Sequence, residues 1–402
     1  MKSNTVRLGD IADICSGGTP SKKRDEYWKG SIPWVSAKSM DADWLNTNLL
    51  FISEEGLKAG SKLAPSNSIL LLTRGSGLFN RIPVIWIAEP LAFNQDIKCI
   101  TAKSPLDTRF IYHWLCSQRE HLSKMLDVTG LGAGKINTDQ LLSLEVFWPE
   151  YSVRRKIVTV ADSIVEKMKL NQLLNDYLAE MLLAKYDQLF GPFSEEKCNG
   201  TLADLGEVVG GATPSKKKEE YYCRHGIGWI TPRDLSNTTD LFIAHGADDI
   251  SQAGYDSCSA KLMPKGSVLF SSRAPIGYLA IAADEVTTNQ GFKSVVPKPE
   301  IGTAFVYCFL QRNKQRIADM GAGTTFPEVS GKTMKGVELE LPGLEKCAEL
   351  TAFAEPILAM IQSNECESRE LSSLRDALLP KLMSGEIDVS KVDLTQLNNH
   401  LA

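Results

Sequence analysis

The chain is poor in the patterns that catalysis at a metal or nucleotide requires. Its five histidines (His113, His121, His225, His245 and His400) are scattered, and none belongs to a His-Glu-x-x-His pair. Nine cysteines (Cys15, Cys99, Cys116, Cys198, Cys223, Cys258, Cys308, Cys347 and Cys366) include no Cys-x-x-Cys pair. That excludes a zinc ribbon and a dithiol redox motif, and leaves small core residues or free thiols in a reducing compartment. No apolar run approaches the roughly 20 residues that span a bilayer, and the opening Met1-Lys2-Ser3-Asn4-Thr5 lacks a secretory apolar stretch. The expectation is a cytoplasmic protein with no membrane association.

Phosphate loops are missing too. Gly134-Lys135 is followed by Ile136 where Ser or Thr is needed, and Gly331-Lys332-Thr333 has Phe326 at the first glycine position. Phe326 also takes the third glycine position after Gly321-Ala322-Gly323, so no dinucleotide fingerprint exists. Neither an Asn-Pro-Pro-Tyr or Asp-Pro-Pro-Tyr methyltransferase motif nor a Gly-x-Ser-x-Gly elbow occurs. The sequence therefore points to a chain without catalysis of its own.

What the chain does contain is a repeat. Gly17-Gly18-Thr19-Pro20-Ser21-Lys22-Lys23 returns as Gly211-Ala212-Thr213-Pro214-Ser215-Lys216-Lys217, and Glu26-Tyr27 returns as Glu220-Tyr221. In the same order, Pro33-Trp34-Val35-Ser36 answers to Gly228-Trp229-Ile230-Thr231, Asn94-Gln95 to Asn289-Gln290, Phe110-Ile111-Tyr112 to Phe305-Val306-Tyr307, and Trp148-Pro149 to Leu341-Pro342. A unit of nearly half of 402 residues is too long for a solenoid repeat and long enough to own a core. None of the histidines has a counterpart in the other copy, which argues against a duplicated His-based active site.

Each copy has two parts. Residues 1–150 and 200–342 mix β-rich runs with turns: Ser68–Leu72, Val84–Ile87, Ser267–Phe270 and Tyr278–Ile281 read as buried strands, Phe110–Leu122 and Ala304–Ile317 as helices. Residues 151–190 and 343–384 carry heptad spacing: Ile157, Val160, Ile164, Lys167, Asn171, Leu174, Leu178 and Met181, then Leu350, Phe353, Ile357, Met360, Asn364, Glu367, Leu371, Leu374 and Leu378. Asn171 and Asn364 take the same seam position, either fixing helix register or lying on amphipathic surfaces. Pro356 should kink the second helix, unless that helix begins near it. Helices of about 30 to 40 residues would reach about 45 to 60 Å. Residues 385–402 read as a loose polar tail. The fold class is thus α+β: two similar globular domains and two long antiparallel, coiled-coil-like helices in a pseudo-two-fold internal repeat.

The net charge of −5 argues against a surface that is basic throughout. Locally, residues 16–38 and 210–233 each carry five basic against two acidic residues. The recurring side chains are Thr, Ser, Lys, Arg, Asn and Gln in loops, the inventory that bonds phosphates and base edges.

At this point the chain resembles the specificity subunit of type I restriction-modification systems over nearly its whole length. The likeness rests on Leu8-Gly9-Asp10-Ile11 leading into Gly-Gly-Thr-Pro-Ser, on Ile32-Pro33-Trp34-Val35, Asn94-Gln95, the Pro149 and Pro342 before each long helix, and the repeat itself. The resemblance implies a non-catalytic subunit with two target recognition domains, each reading one half of a bipartite double-stranded DNA site through the major groove while the helices set the spacing. It also implies two methyltransferase subunits that bring S-adenosylmethionine and restriction/translocase subunits that bring ATP and magnesium chemistry, with no cofactor held by this chain. The widely diverged halves independently suggest an asymmetric target.

The DNA-binding candidates are Thr19, Ser21, Lys22, Lys23, Thr213, Ser215, Lys216, Lys217 and Lys218 in the repeated loops, and Lys38, Arg74, Arg233 and Arg273 after strands. Those strand-end cations meet DNA or pair with a carboxylate. Trp34 and Trp229 read as core, and Asn94-Gln95 and Asn289-Gln290 as scaffold. Lys135 and the loop 129–134, matched by 321–326, read as connectors. Base readers belong in the dissimilar loops 39–64, 75–92, 234–262 and 274–288, since different bases require different residues. Two other classes compete: a stand-alone nuclease, and a coiled-coil scaffold carrying two protein-binding modules.

Overall fold

The computed structural model describes residues 5–40, 45, 49–128, 132–273, 275–323 and 327–389. Its contacts divide the chain into two units: residues up to Lys167 together with those from Glu370 on, and Met168–Arg369.

In the first unit Ala12–Ser16, Ile97–Ala102, Ser68–Leu72 and Val84–Ile87 form an antiparallel sheet in that order. Ser68–Leu72 is buried at every position. Helix Pro105–Ser117 covers one face, and Val35, Ala64 and Phe93 from a second sheet join the same apolar cluster. A strand covered on both faces carries an unbroken apolar run instead of alternation. The second unit repeats the order with Gly206–Gly210, Lys293–Pro297, Val268–Phe270 and Leu279–Ala282, and adds Phe242–Ile243 as a parallel edge. In both, the tryptophan strand runs parallel to the strand before Asn-Gln, pairing Trp34 with Ala92 and Trp229 with Thr287. Duplication in sequence is duplication of topology.

Where a single helix over Phe110–Leu122 was expected, the chain forms Pro105–Ser117 and then Arg119–Lys124. The first starts early because the Ser104 hydroxyl caps it by accepting from the Asp107 N–H, and Pro105 suits its opening turn. Ala304–Ile317 lies within Gly302–Asp319. All nine cysteines are free, with Cys99, Cys308 and Cys347 buried. Among the described residues no helix is long and apolar enough to cross a membrane.

The long helices run Tyr151–Phe190 and Leu344–Ser384, 40 and 41 residues. Two features differ from the sequence expectation. First, the seam keeps the expected phase only in part: Ile157, Asn171, Leu350 and Ile357 are buried as expected, whereas Leu174, Met181, Met360 and Leu374 are 42–50% exposed. Buried in their stead are Asn175 and Leu182 on one helix and Ile361 and Leu379 on the other, with Ala161 and Ala354 added to the inner face. The apolar pattern offers two adjacent stripes, and the one chosen faces a recognition-domain helix as well: Tyr186 lies 5.5 Å from the Phe305 ring. Second, the distal helix does not begin near Pro356. It starts at Leu344 and stays helical across the proline, which is exposed while Ala354 and Ile357 are buried. Beyond it, residues 385–389 are not loose: Gly385, at φ +76°, turns the chain so that Ile387 and Val389 join the core of the first unit. The rest of that tail, 390–402, lies outside the described residues.

Within the second unit a polar knot ties the helices together. Asn171 is 2% exposed, and its amide donates to the Asn364 carbonyl (3.3 Å), to Glu367 Oε2 (2.8 Å) and to Ser368 Oγ (3.2 Å). The Asn364 amide donates to Asn175 Oδ1 at 2.8 Å. Next to it, buried Glu365 accepts the backbone N–H groups of Leu241 (2.5 Å) and Phe242 (3.1 Å), so the long helix holds the strand Phe242–Ile243 in place. Burial pushes the Glu365 carboxyl up to about 7, reinforced by Asp240 and opposed by those amides and by Arg369.

Pro356→Ala should restore a helical hydrogen bond and stabilise the protein by about 1–3 kcal/mol, read as a higher urea midpoint; no rise would mean that no bond is missing there. Glu365 gives a pH signature. Its folded pKa is raised, so both states are neutral at pH 4, the unfolded chain ionises first as pH rises, and stability falls until about pH 7 is passed. The loss is on the order of 3 kcal/mol. Urea midpoints of Glu365→Gln should vary less between pH 5 and 8 than those of the parent; parallel curves would show that the carboxyl titrates normally.

Candidate nucleic-acid interface

The repeated loop is set by close packing. A Cβ on Gly17 would sit 2.1 Å from the Phe93 carbonyl oxygen, and one on Gly211 2.1 Å from that of Asn289, so only glycine fits. The next residue bonds inward, Gly18 N–H to Phe93 O at 2.8 Å and Ala212 N–H to Thr288 O at 2.9 Å. Its carbonyl accepts the tryptophan indole: Trp34 Nε1 to Gly18 O at 3.2 Å, Trp229 Nε1 to Ala212 O at 3.0 Å. Both tryptophans are buried. Thr19 then donates to Gln95 Oε1 at 2.7 Å, and Thr213 donates to Gln290. The Asn94 and Asn289 side-chain carbonyls accept the N–H two residues on, at 3.1 and 2.8 Å. The shared landmarks thus converge on one scaffold per unit, and the Thr19 and Thr213 hydroxyls serve it.

From that scaffold the chain turns outward. Pro20 and Pro214 are buried, whereas Ser21, Lys22, Lys23, Ser215, Lys216 and Lys217 are exposed. None of these four lysines has an ion-pair partner among the described residues. The following cation is held back on a tyrosine: Arg24 Nη1 donates to the Tyr27 hydroxyl at 3.1 Å, and Lys218 Nζ to that of Tyr221 at 2.9 Å, which raises the Lys218 pKa. Each loop therefore presents a fixed pair of free ammonium groups, able to meet phosphate oxygens.

The other candidates scatter. Lys38 is exposed in the short turn Ala37–Ser39, and Arg233 is exposed in Pro232–Ser236, whose start is fixed by a Thr231–Asp234 capping box. Arg273 pairs with Glu328 at 3.0 Å, while Arg74 has no such partner among the described residues. Lys135 stands in a short strand opposite Arg74; residues 129–131 and 324–326 of the flanking loops lie outside the described residues. So do 41–44, 46–48 and 274 of the dissimilar segments. Inside those segments one repeated element escapes the sequence comparison: helices Glu54–Gly60 and Gln252–Asp256, capped by Ser53 and Ser251, with Gly56 and Gly254 pressed on the Tyr27 and Tyr221 carbonyls. The Ser-x-x-Gly spacing was the available signal. Glu365, which fixes the strand at Phe242, gave none.

A family model described as the type I restriction modification DNA specificity domain matches residues 2–179 and again 195–365. The chain is 37% identical over 176 residues to the type I restriction enzyme MjaIX specificity subunit of Methanocaldococcus jannaschii, 43% of this chain and 40% of that protein. It is 31% identical over 190 residues to the type I restriction enzyme EcoR124I/EcoR124II specificity subunit of Escherichia coli, 44% of this chain and 47% of the relative. The chain thus matches less than half the length of either. In fold it is similar to the S subunit of a type-I restriction-modification system from M. genitalium, with a TM-score of 0.54 over 94% of this chain and 95% of that one at 15% identity. With one model matching both copies of the repeat, the chain belongs to the family of type I restriction-modification DNA specificity domains.

Proposed function

We propose that this chain is the sequence-recognition subunit of a type I restriction-modification complex, binding an asymmetric two-part site in double-stranded DNA with one half-site per recognition domain. The observation that carries this reading is the duplicated scaffold: each unit holds the same loop with the same free lysine pair beside segments that differ in sequence. A shared scaffold grips the backbone that every DNA offers, and unlike segments suit unlike bases. The long helices, about 60 Å each at 1.5 Å per residue, are the elements suited to setting the distance between half-sites.

The chain contributes no chemistry in this reading. Methyltransferase subunits supply S-adenosylmethionine, and restriction/translocase subunits supply ATP and magnesium. Docking of the former is supported by a stripe along the first long helix, where Leu170, Leu173, Leu174, Tyr177 and Met181 are 42–63% exposed. Apolar side chains recurring every three or four residues on an open helix face suit a partner helix. The complex would act in the cytoplasm, where its DNA is.

Changing Lys22, Lys23, Lys216 and Lys217 together to Glu, in the complex with the methyltransferase partner, should lower duplex affinity by at least about 100-fold and flatten its salt dependence. Undiminished binding by fluorescence anisotropy would favour the protein-scaffold class instead. Genome-wide mapping of methylated bases in a host carrying the system should give a two-part motif with unlike halves; a continuous motif would contradict the reading. Leu173→Glu with Tyr177→Glu should abolish co-purification with the methyltransferase subunit while leaving the circular dichroism spectrum unchanged, and retained co-purification would move docking elsewhere.

A further inference from the structure

Backbone register identifies equivalent positions that sequence similarity hides. Ile136 N–H donates to Thr73 O at 2.9 Å and Val329 N–H to Ser272 O at 2.9 Å, so Lys135 beside Arg74 corresponds to Glu328 beside Arg273. Lys98, opposite Ser16, corresponds to Lys293, opposite Gly210. Lys62, two residues before Ala64 opposite Leu91, corresponds to Lys261, two before Met263 opposite Val286. The two copies build one set of four positions with opposite electrostatic outcomes.

In the second unit two carboxylates pair with three cations. Lys261 Nζ lies 2.9 Å from Glu207 Oε1, Arg273 Nε 3.0 Å from Glu328 Oε2, and Lys293 Nζ 3.7 Å from Glu328 Oε1. In the first unit Lys62, Arg74, Lys98 and Lys135 have no ion-pair partner among the described residues. Lys98 Nζ donates to Ser16 Oγ at 2.5 Å. Burial, aided by Lys135 and Lys62 against the pull of Cys15, lowers its pKa, so these three cations sense one another. Arg74 and Lys135 are direct partners in an antiparallel ladder, which puts both side chains on one face. Like charges placed so repel. Asp127, on the far side of Lys135 in the ladder, makes no ion pair with it. An arrangement that repels itself when free is relieved by a polyanion.

We propose that Lys62, Arg74, Lys98 and Lys135 form a phosphate-gripping patch on the first unit, weakened in the second chiefly by Glu328 in the place of Lys135, so that the first unit carries the larger share of salt-dependent DNA binding. This rests on the DNA-recognition reading above. The patch holds any sequence, because it meets the backbone, and it leaves base choice to other residues of the dissimilar segments.

The test uses the full chain with its methyltransferase partner and a mixed-sequence DNA duplex, titrated over a range of salt. Arg74→Ala with Lys135→Ala should weaken binding about tenfold or more and reduce the log–log salt slope by about two units. Glu328→Lys, an exchange at a partly exposed position, should tighten binding and steepen the slope by about one unit. The charge-conserving control Lys261→Ala with Glu207→Ala should leave both unchanged. If the parent binds but the first double variant matches the control, or Glu328→Lys brings no gain, the patch is overturned and DNA recognition stands. If the parent binds no duplex at any salt, the recognition reading itself fails and the patch with it.

Discussion

One indole hydrogen bond per unit organises what surrounds it. Trp34 donates to the carbonyl of Gly18 and Trp229 to that of Ala212, each from a buried strand into the turn that opens toward solvent. Without that partner the carbonyl would be an unsatisfied polar group beside the core, at a cost of about 1–3 kcal/mol. The bond needs a tryptophan at one place, a glycine that lets the turn approach the next strand, and an asparagine that bends that strand's end. This is why those residues recur together while the chain between them drifts. The lysines beyond the turn inherit a fixed position from groups that never touch a ligand.

The second constraint is topological. Leu379, Leu382, Met383 and Val389, from the far end of the chain, belong to the same core as Ile157, Val158 and Ala161. The first unit therefore cannot finish its core until nearly the whole chain exists, and it carries contacts of very high sequence separation. The second unit is made from one continuous stretch, Met168–Arg369. Two modules of like architecture should thus differ in folding order, with the second able to complete itself first.

Much of this was legible in the sequence, for identifiable reasons. The repeat, the buried strands at Ser68–Leu72 and Val84–Ile87, and the long helices follow from patterns that survive any environment. The phase of the helix seam did not, because Leu174 and Asn175 are neighbours and hydrophobicity alone prefers leucine. Asn175 is buried because Asn364 offers it a hydrogen bond, a fact about a partner 189 residues away. Pro356 misleads for a related reason: the local penalty is real, but apolar anchors on both sides, Leu350 and Ile357, outweigh it. Glu365 was invisible, since a glutamate in a charged helix reads as solvated until the amides of Leu241 and Phe242 appear beside it.

Net charge is the coarsest of these signals. At −5 the chain looks unsuited to a polyanion, yet Lys62, Arg74, Lys98 and Lys135 of the first unit have no carboxylate partner among the described residues, while Lys261 and Arg273 at equivalent positions of the second are paired. At physiological salt the interaction between exposed charges is screened beyond about 8 Å, so a phosphate senses the nearest few side chains and not the sum over the molecule. A duplicated scaffold can therefore diverge electrostatically at single positions, Lys135 against Glu328, without disturbing the fold beneath, because both side chains leave from the same backbone ladder. Duplication fixes where a ligand is met, and point changes at the rim decide how strongly each copy holds it.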